Sequence, residues 1–228
     1  MREQVRKILA TSDPRALSEG VERLLEAARE EGADALVLLG NLGAGGGAHE
    51  YAGLLRTVGR ANLPAFYVPG PEDAPLGEYL REAYNAEVVF PFMHGVHGTF
   101  AFAPGYLVFA GMGGEVLDDP HHEREELKGL RYPAWEAEYR LKVLQELKDY
   151  QKVFLFGTPP AHKGLREPGS ETLAELVKTY SPRLVLTRGE GFKQENLGTS
   201  LVVSPGRLGE GGYAVVDLHE GEAKAGSL

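Results

Sequence analysis

Short apolar runs alternate along this chain with longer segments in which apolar residues recur every three to four positions, a pattern that predicts parallel strands joined by crossover helices. Val5 to Thr11 reads as the first strand, and Ser12-Asp13-Pro14 as the turn that ends it. Ala16 to Glu31 then places Leu17, Val21, Leu24, Leu25 and Ala28 on one helical face. Ala35 to Leu39 contains no polar position, as expected of a strand buried on both faces. Glu50 to Ala61 predicts the next helix, stopped by Asn62 and Pro64. Ala65 to Val68 follows as a third strand, broken by Pro69-Gly70-Pro71, and Leu76 to Tyr84 as a short helix.

From Glu87 the pattern changes. The runs EVVFPF, GTFAFA and YLVFAGMGG are closely spaced and separated by glycine, which predicts antiparallel hairpins. Asp118 to Arg131 is polar and charged, so it reads as an exposed loop or short helix that carries His121 and His122. Trp135 to Leu147 is amphipathic, with Trp135, Tyr139, Val143 and Leu147 on one face, and this face is expected in the core. A strand at Val153 to Phe156, a helix at Ser170 to Tyr180 and a strand at Leu184 to Thr187 come next. The runs LGTSLVVSPG and YAVVDL close the chain. No low-complexity linker or repeat divides these elements, so residues 1–228 are expected to form one α/β domain with two sheets.

Composition narrows the classes. The chain has 24 Lys+Arg against 33 Asp+Glu, a formal net charge of −9, whose field repels nucleic acid and anionic membrane surfaces. The absence of cysteine removes disulfides, thiol nucleophiles and thiolate metal sites. The amino-terminal segment is too often interrupted by charge for a signal peptide, and no apolar run is long enough to span a membrane, so a cytoplasmic protein is expected. Few Asn, Gln and Met beside many Glu, Arg and Pro suit a thermophile. A homo-oligomer is compatible with all of this.

In open α/β sheets ligands sit beyond the carboxyl ends of the strands, so the loops after each strand are where chemistry is expected. They contain Ser12-Asp13-Pro14-Arg15, Gly40-Asn41-Leu42, Pro69-Gly70-Pro71-Glu72-Asp73, Gly157-Thr158-Pro159-Pro160 and Thr187-Arg188-Gly189-Glu190-Gly191. Three further patterns carry weaker chemistry. Gly43-x-Gly45-x-x-Ala48 follows a strand and precedes a helix, as a dinucleotide-binding turn would. His94-Gly95-Val96-His97 reads as structural, because it sits in the hairpin region with no acidic partner, and His121-His122 as a solvated pair.

The order of the strand-end loops resembles the calcineurin-like metallophosphoesterases, whose motifs run D-x-H, G-D, G-N-H-[DE], H and G-H-x-H. ILATSDPRAL, LVLLGNLG, YVPGPEDAP, FLFGTPPAHKG, LVLTRGEG and LVVSPGRLGEGGYAVVDL match the frame in that order, over nearly the whole chain. The resemblance implies a four-layer α/β/β/α sandwich of two mixed sheets. It also implies a two-metal site clamping the attacking and leaving oxygens of a phosphate ester.

Matched position by position, most of the family's ligands are replaced. Asp13 keeps the first aspartate, Arg15 stands for a histidine and Asn41 for the bridging aspartate. Pro71 stands for the asparagine and Glu72 for the histidine that assists the leaving group, while Asp73 keeps the trailing acid. Gly157, Gly189 and Gly191 stand where later histidines would be, and glycine ligates nothing. The resemblance therefore places site roles on Asp13, Asn41, Glu72, Asp73 and His162, with at most a single weak divalent cation at Asp13 and Asn41 and no stoichiometric cofactor. Arg15, Arg188 and Lys163 are candidate ligands for a small anionic or phosphate-bearing molecule in the same cleft. Two functions stay open: a catalytically dead relative that binds an anion, and a phosphoesterase of weak or altered activity on a reduced metal site. The alternatives for single residues are plainer, with Asp13 capping a helix, Arg15 pairing with Asp13 or Glu72, and Lys163 solvated.

Overall fold

The computed structural model describes residues 4–45, 47–119, 128–165 and 168–228. Strands β1 (Lys7–Ser12), β2 (Ala35–Leu39), β3 (Ala65–Val68) and β4 (Met93–Gly95) run parallel. They are extended on the β1 side by antiparallel β13 (Gly212–Asp217) and β14 (Glu222–Ser227). The second sheet has the order β11 (Phe192–Leu197), β12 (Ser200–Pro205), β10 (Leu184–Thr187), β9 (Gln151–Phe156), β6 (Leu107–Met112) and β5 (Thr99–Ala103). A short pair, β7 (Glu115–Leu117) and β8 (Arg131–Pro133), lies apart from both.

Alternation along each central strand divides its residues between two cores. In β1, Ile8 and Ala10 face the second sheet, where they join Val37, Leu39, Phe66, Phe109, Val153, Leu155, Leu186 and Val203. Phe66 stacks on Phe109 across that interface with ring centroids 3.7 Å apart. Leu9, Leu36, Leu38 and Tyr67 face the other way, under α1 (Ser18–Glu30), α2 (Ala48–Arg60) and α3 (Leu76–Val89). On the far side Phe154, Phe156, Val185 and Val202 pack beneath α4 (Ala134–Leu141) and α5 (Glu171–Tyr180). The result is the expected four-layer sandwich of two mixed sheets.

Two expectations are corrected. EVVFPF is not a strand: Val88 and Val89 end α3, and the following β4 pairs parallel to β3, so the connection is a crossover and not a hairpin. The reason is that Tyr79, Ala83, Ala86 and Phe90 continue one helical face onto the sheet, and that packing overrides the β-propensity of the valines. The stripe Trp135, Tyr139 and Val143 is not core either; Trp135 is 63% and Tyr139 75% exposed. Small Ala137, with Leu141 and Leu144, faces the sheet instead, and the buried Glu136 is neutralised by Arg140 one turn on at 2.6 Å. The helix shortens to α4, and Lys142–Glu146 forms a 3-10 turn. Asp118, at the head of the polar segment, caps α5 by accepting from Ser170 Oγ and the Glu171 amide. His121 and His122 lie outside the described residues. Among the described residues no helix is long and apolar enough to cross a membrane.

Candidate functional site

The carboxyl ends of β1, β2 and β3 bring Asp13, Asn41, Glu72 and Asp73 together, because three parallel neighbours must end on the same side. The first loop turns sharply. Asp13, Arg15 and Ala16 all adopt left-handed backbone conformations (φ 48°, 45° and 53°), unusual for residues with a Cβ and a mark of local strain. The strain is held by backbone hydrogen bonds from the Asp13, Arg15 and Ala16 amides to the Leu39, Asn41 and Leu42 carbonyls. The second and third loops touch backbone to backbone, so that a Cβ on Gly70 would collide with the Asn41 side chain.

The carboxylates and the side-chain amide of this cluster all have partners. Asp13 Oδ1 accepts from the Asn41 amide at 2.9 Å and from Arg188 Nη2 at 2.8 Å, while Oδ2 lies 3.6 Å from Arg207 Nε. The Asp13 and Arg188 side chains are only 6% and 11% exposed, so this pair is shielded from water. Asn41 Oδ1 accepts from the Glu72 amide, and its Nδ2 donates to Glu72 Oε1 at 3.1 Å. Glu72 is also held by both nitrogens of the Arg15 fork, at 2.7 and 2.9 Å. That pairing raises the Arg15 guanidinium further above its ordinary value. Asp73, fully buried, accepts from the Leu42, Gly43 and Gly70 amides and thereby ties the second loop to the third. Burial pushes its carboxyl above the ordinary aspartate range, against the opposing pull of those three donors and of Arg188. Tyr51, near Asp73, is raised as well, first by burial and then by the charge of that carboxylate.

The second sheet contributes the opposite kind of loop. A Cβ on Gly157 would run into the backbone of Gly114, and one on Gly189 into the Ser204 hydroxyl; only Gly191 faces open space. Side chains are excluded at two of the three positions where imidazoles would be needed.

This donor set does not fit a dinuclear centre. A metal needs several free lone pairs converging on one point. Here the Asp13 lone pairs face two guanidinium groups, the Asn41 carbonyl is used by Glu72, and the Asp73 oxygens by backbone amides. The same commitments leave no cage for a single cation between Asp13 and Asn41. Among the described residues no group of three or more His, Cys, Asp or Glu is placed to hold a metal ion.

Of the candidate anion ligands, Arg15 and Arg188 reach the same loop cluster but do not present a shared empty fork, since each closes on a carboxylate. His162 is partly buried and Lys163 exposed, on a loop where the His162 carbonyl accepts from Leu165. Among the described residues neither side chain forms a hydrogen bond or ion pair with Asp13, Asn41, Glu72 or Asp73. The residue that sequence reasoning missed is Arg207, which follows β12 in Gly206-Arg207. Its only sequence signal is its place just after the apolar run of β12; the bridge between Ser12 and Arg207, which sets that strand end against β1, is seen in the structure alone. The Gly43 loop offers no phosphate cradle, because its Gly43 and Ala44 amides are taken by Asp73 and Glu50. His94 is half-buried and held below its ordinary pKa by burial. The buried His97 ring accepts from the Gly113 amide at 3.0 Å.

Comparison with known proteins agrees with this fold. The family profile "Metallophosphoesterase, calcineurin superfamily" matches residues 1–228. The crystal structure of TT1561 of Thermus thermophilus is 52% identical, with a TM-score of 0.94, covering 98% of this chain and 99% of that one. A second crystal structure is 29% identical with a TM-score of 0.90, again over 98% of this chain and 99% of the other. A novel archaeal phosphodiesterase, 11% identical with a TM-score of 0.50 over 97% and 99%, shares the fold alone. No curated protein matches. With its strand order, its loop order and a profile match across its full length, the chain belongs to the calcineurin superfamily of metallophosphoesterases.

Proposed function

We propose that this chain is a superfamily member with little or no phosphoesterase activity, and that its former catalytic cleft binds a small anionic or phosphate-bearing ligand without stoichiometric metal. The observation that carries the reading is the Arg188 guanidinium seated 2.8 Å from Asp13, supplying fixed positive charge beside the carboxylate that would otherwise ligate a cation. Two guanidinium groups flank this single carboxylate, and the second of them, Arg207, also lies 3.6 Å from Glu210 at the cleft's edge. Arg207 is 39% exposed and can reach a ligand. Arg188 Nε is buried without a hydrogen-bond partner among the described residues, which leaves one donor unspent. Charge-assisted bonds from such groups are the usual means of holding phosphate.

Phosphate at about a hundred times its dissociation constant should stabilise the protein by about 2.7 kcal/mol. For a chain of this size that corresponds to a rise of roughly 5–11 °C in Tm. Arg207→Gln should lose most of the rise, and protein purified without chelator should contain no stoichiometric Mn, Fe or Zn. Two metal equivalents surviving dialysis, with phosphodiester turnover that disappears in Asp13→Ala, would instead establish the phosphoesterase reading.

A further inference from the structure

The far end of the sandwich, where the parallel strands of the second sheet begin, holds a polar recess of about 570 Å³. It lies at the opposite end of β9 and β10 from the Gly157 and Arg188 loops. Its wall includes Lys148, Tyr150, Lys152, Tyr180, Arg183 and His219. A recess of this size is within the range of small-molecule sites.

The charges in this wall are unbalanced. Lys152 is buried at 7% exposure, yet its ammonium is met only by the Leu147 and Tyr150 carbonyls, at 2.9 and 3.1 Å. An ammonium has three donors, so one remains. Arg183 donates to the Gln151 side chain and the His219 carbonyl, both neutral acceptors. Among the described residues neither cation, nor the exposed Lys148, has a carboxylate partner. The acid in the wall, Glu220, lies 2.8 Å from His219 Nδ1 and pairs with none of the three cations among the described residues. Three cations thus share this wall with one acid, on a chain whose net charge is −9. Burying a charge without a counter-charge is costly, and an anion supplies the missing term.

We infer that this recess is a second anion site, built by Lys148, Lys152 and Arg183 for a phosphate-bearing small molecule whose organic part rests against Tyr150 and Tyr180. The site is separate from the cleft and does not depend on what the cleft binds. Burial holds the Lys152 ammonium below its ordinary pKa, the direction expected where the counter-charge is missing.

Calorimetric titration of pyrophosphate into the Arg207→Gln protein, which lacks one of the two exposed arginines of the cleft, tests this. Saturable binding is expected. Arg183→Gln or Lys148→Gln, each added to that background, should weaken it about tenfold, the scale of one charged hydrogen bond. Lys152→Met should weaken it at least as much; the two less buried variants keep the test valid if that one folds poorly by circular dichroism. No saturable binding in the Arg207→Gln protein overturns the inference, and so does equal affinity in Arg183→Gln and Lys148→Gln. Pyrophosphate that binds wild type but not Arg207→Gln assigns the anion to the cleft and removes it from the recess.

Discussion

The loops of the first sheet and those of the second differ from a metal-ligating set in different ways. On the first sheet, Asp13, Asn41, Glu72 and Asp73 remain polar, but their lone pairs have been turned inward onto arginines and backbone amides. On the second, the positions became glycine, and at Gly157 and Gly189 neighbouring atoms now fill the space a side chain would need. In the first case the donors persist with new partners. In the second the room for a side chain is filled at Gly157 and Gly189 and open at Gly191, so no single substitution supplies all three imidazoles.

Asp13→Asn probes the first region most severely. Asparagine keeps the shape and tolerates the left-handed backbone, but it leaves the Arg188 charge buried and unpaired. A loss of about 3–5 kcal/mol is expected in chemical denaturation, or roughly 6–20 °C in Tm. A loss below about 1 kcal/mol, the level of an exposed pair, would mean that the inward-turned cluster is not what holds these loops.

The second region is tested by restoring an imidazole. Gly157→His should cost near the top of the roughly 1–3 kcal/mol range for overpacking, because the Gly114 backbone must move. Gly191→His, facing open space, should stay within about 0.5 kcal/mol. Equal effects at the two sites would erase the distinction between filled and open positions.

A smaller effect concerns pH. Burial raises the Asp73 carboxyl in the folded state, so the unfolded chain releases that proton at lower pH. The stability contributed by the protonated group is fully present below the ordinary aspartate value and is lost as pH rises through the raised one. The stability difference between wild type and Asp73→Asn should therefore move against wild type as pH increases from about 4 toward neutrality. A flat difference would indicate that the three amide donors offset burial completely.

Much of the fold could be read from periodicity. β2 and β3 were predicted to the residue, because strands buried on both faces are continuous apolar runs with sharp ends. α3 was cut short because Val88-Val89-Phe90 satisfies a strand pattern and a helix pattern alike, and only contact with β4 and the sheet decides between them. The Trp135 stripe failed for a related reason: amphipathicity locates an apolar face but does not say that this sheet will cover it. At the site, strand ends identified Asp13, Asn41, Glu72, Asp73, Arg15 and Arg188 as neighbours. Arg207 went unnoticed because it follows a strand more than 190 residues from Asp13 and matches no family ligand.

Residue identity and local pattern suffice for the superfamily, the order of the loops and the glycines at 157, 189 and 191. Tertiary structure alone decided that Arg188 closes on Asp13, that Arg15 closes on Glu72, and that Gly157 has no room for a side chain. Partner choice among several carboxylates and guanidinium groups is settled by separations of a few ångströms between loops distant in the chain. Over such separations the interaction of two charges changes severalfold with distance and burial, and one-dimensional spacing carries neither.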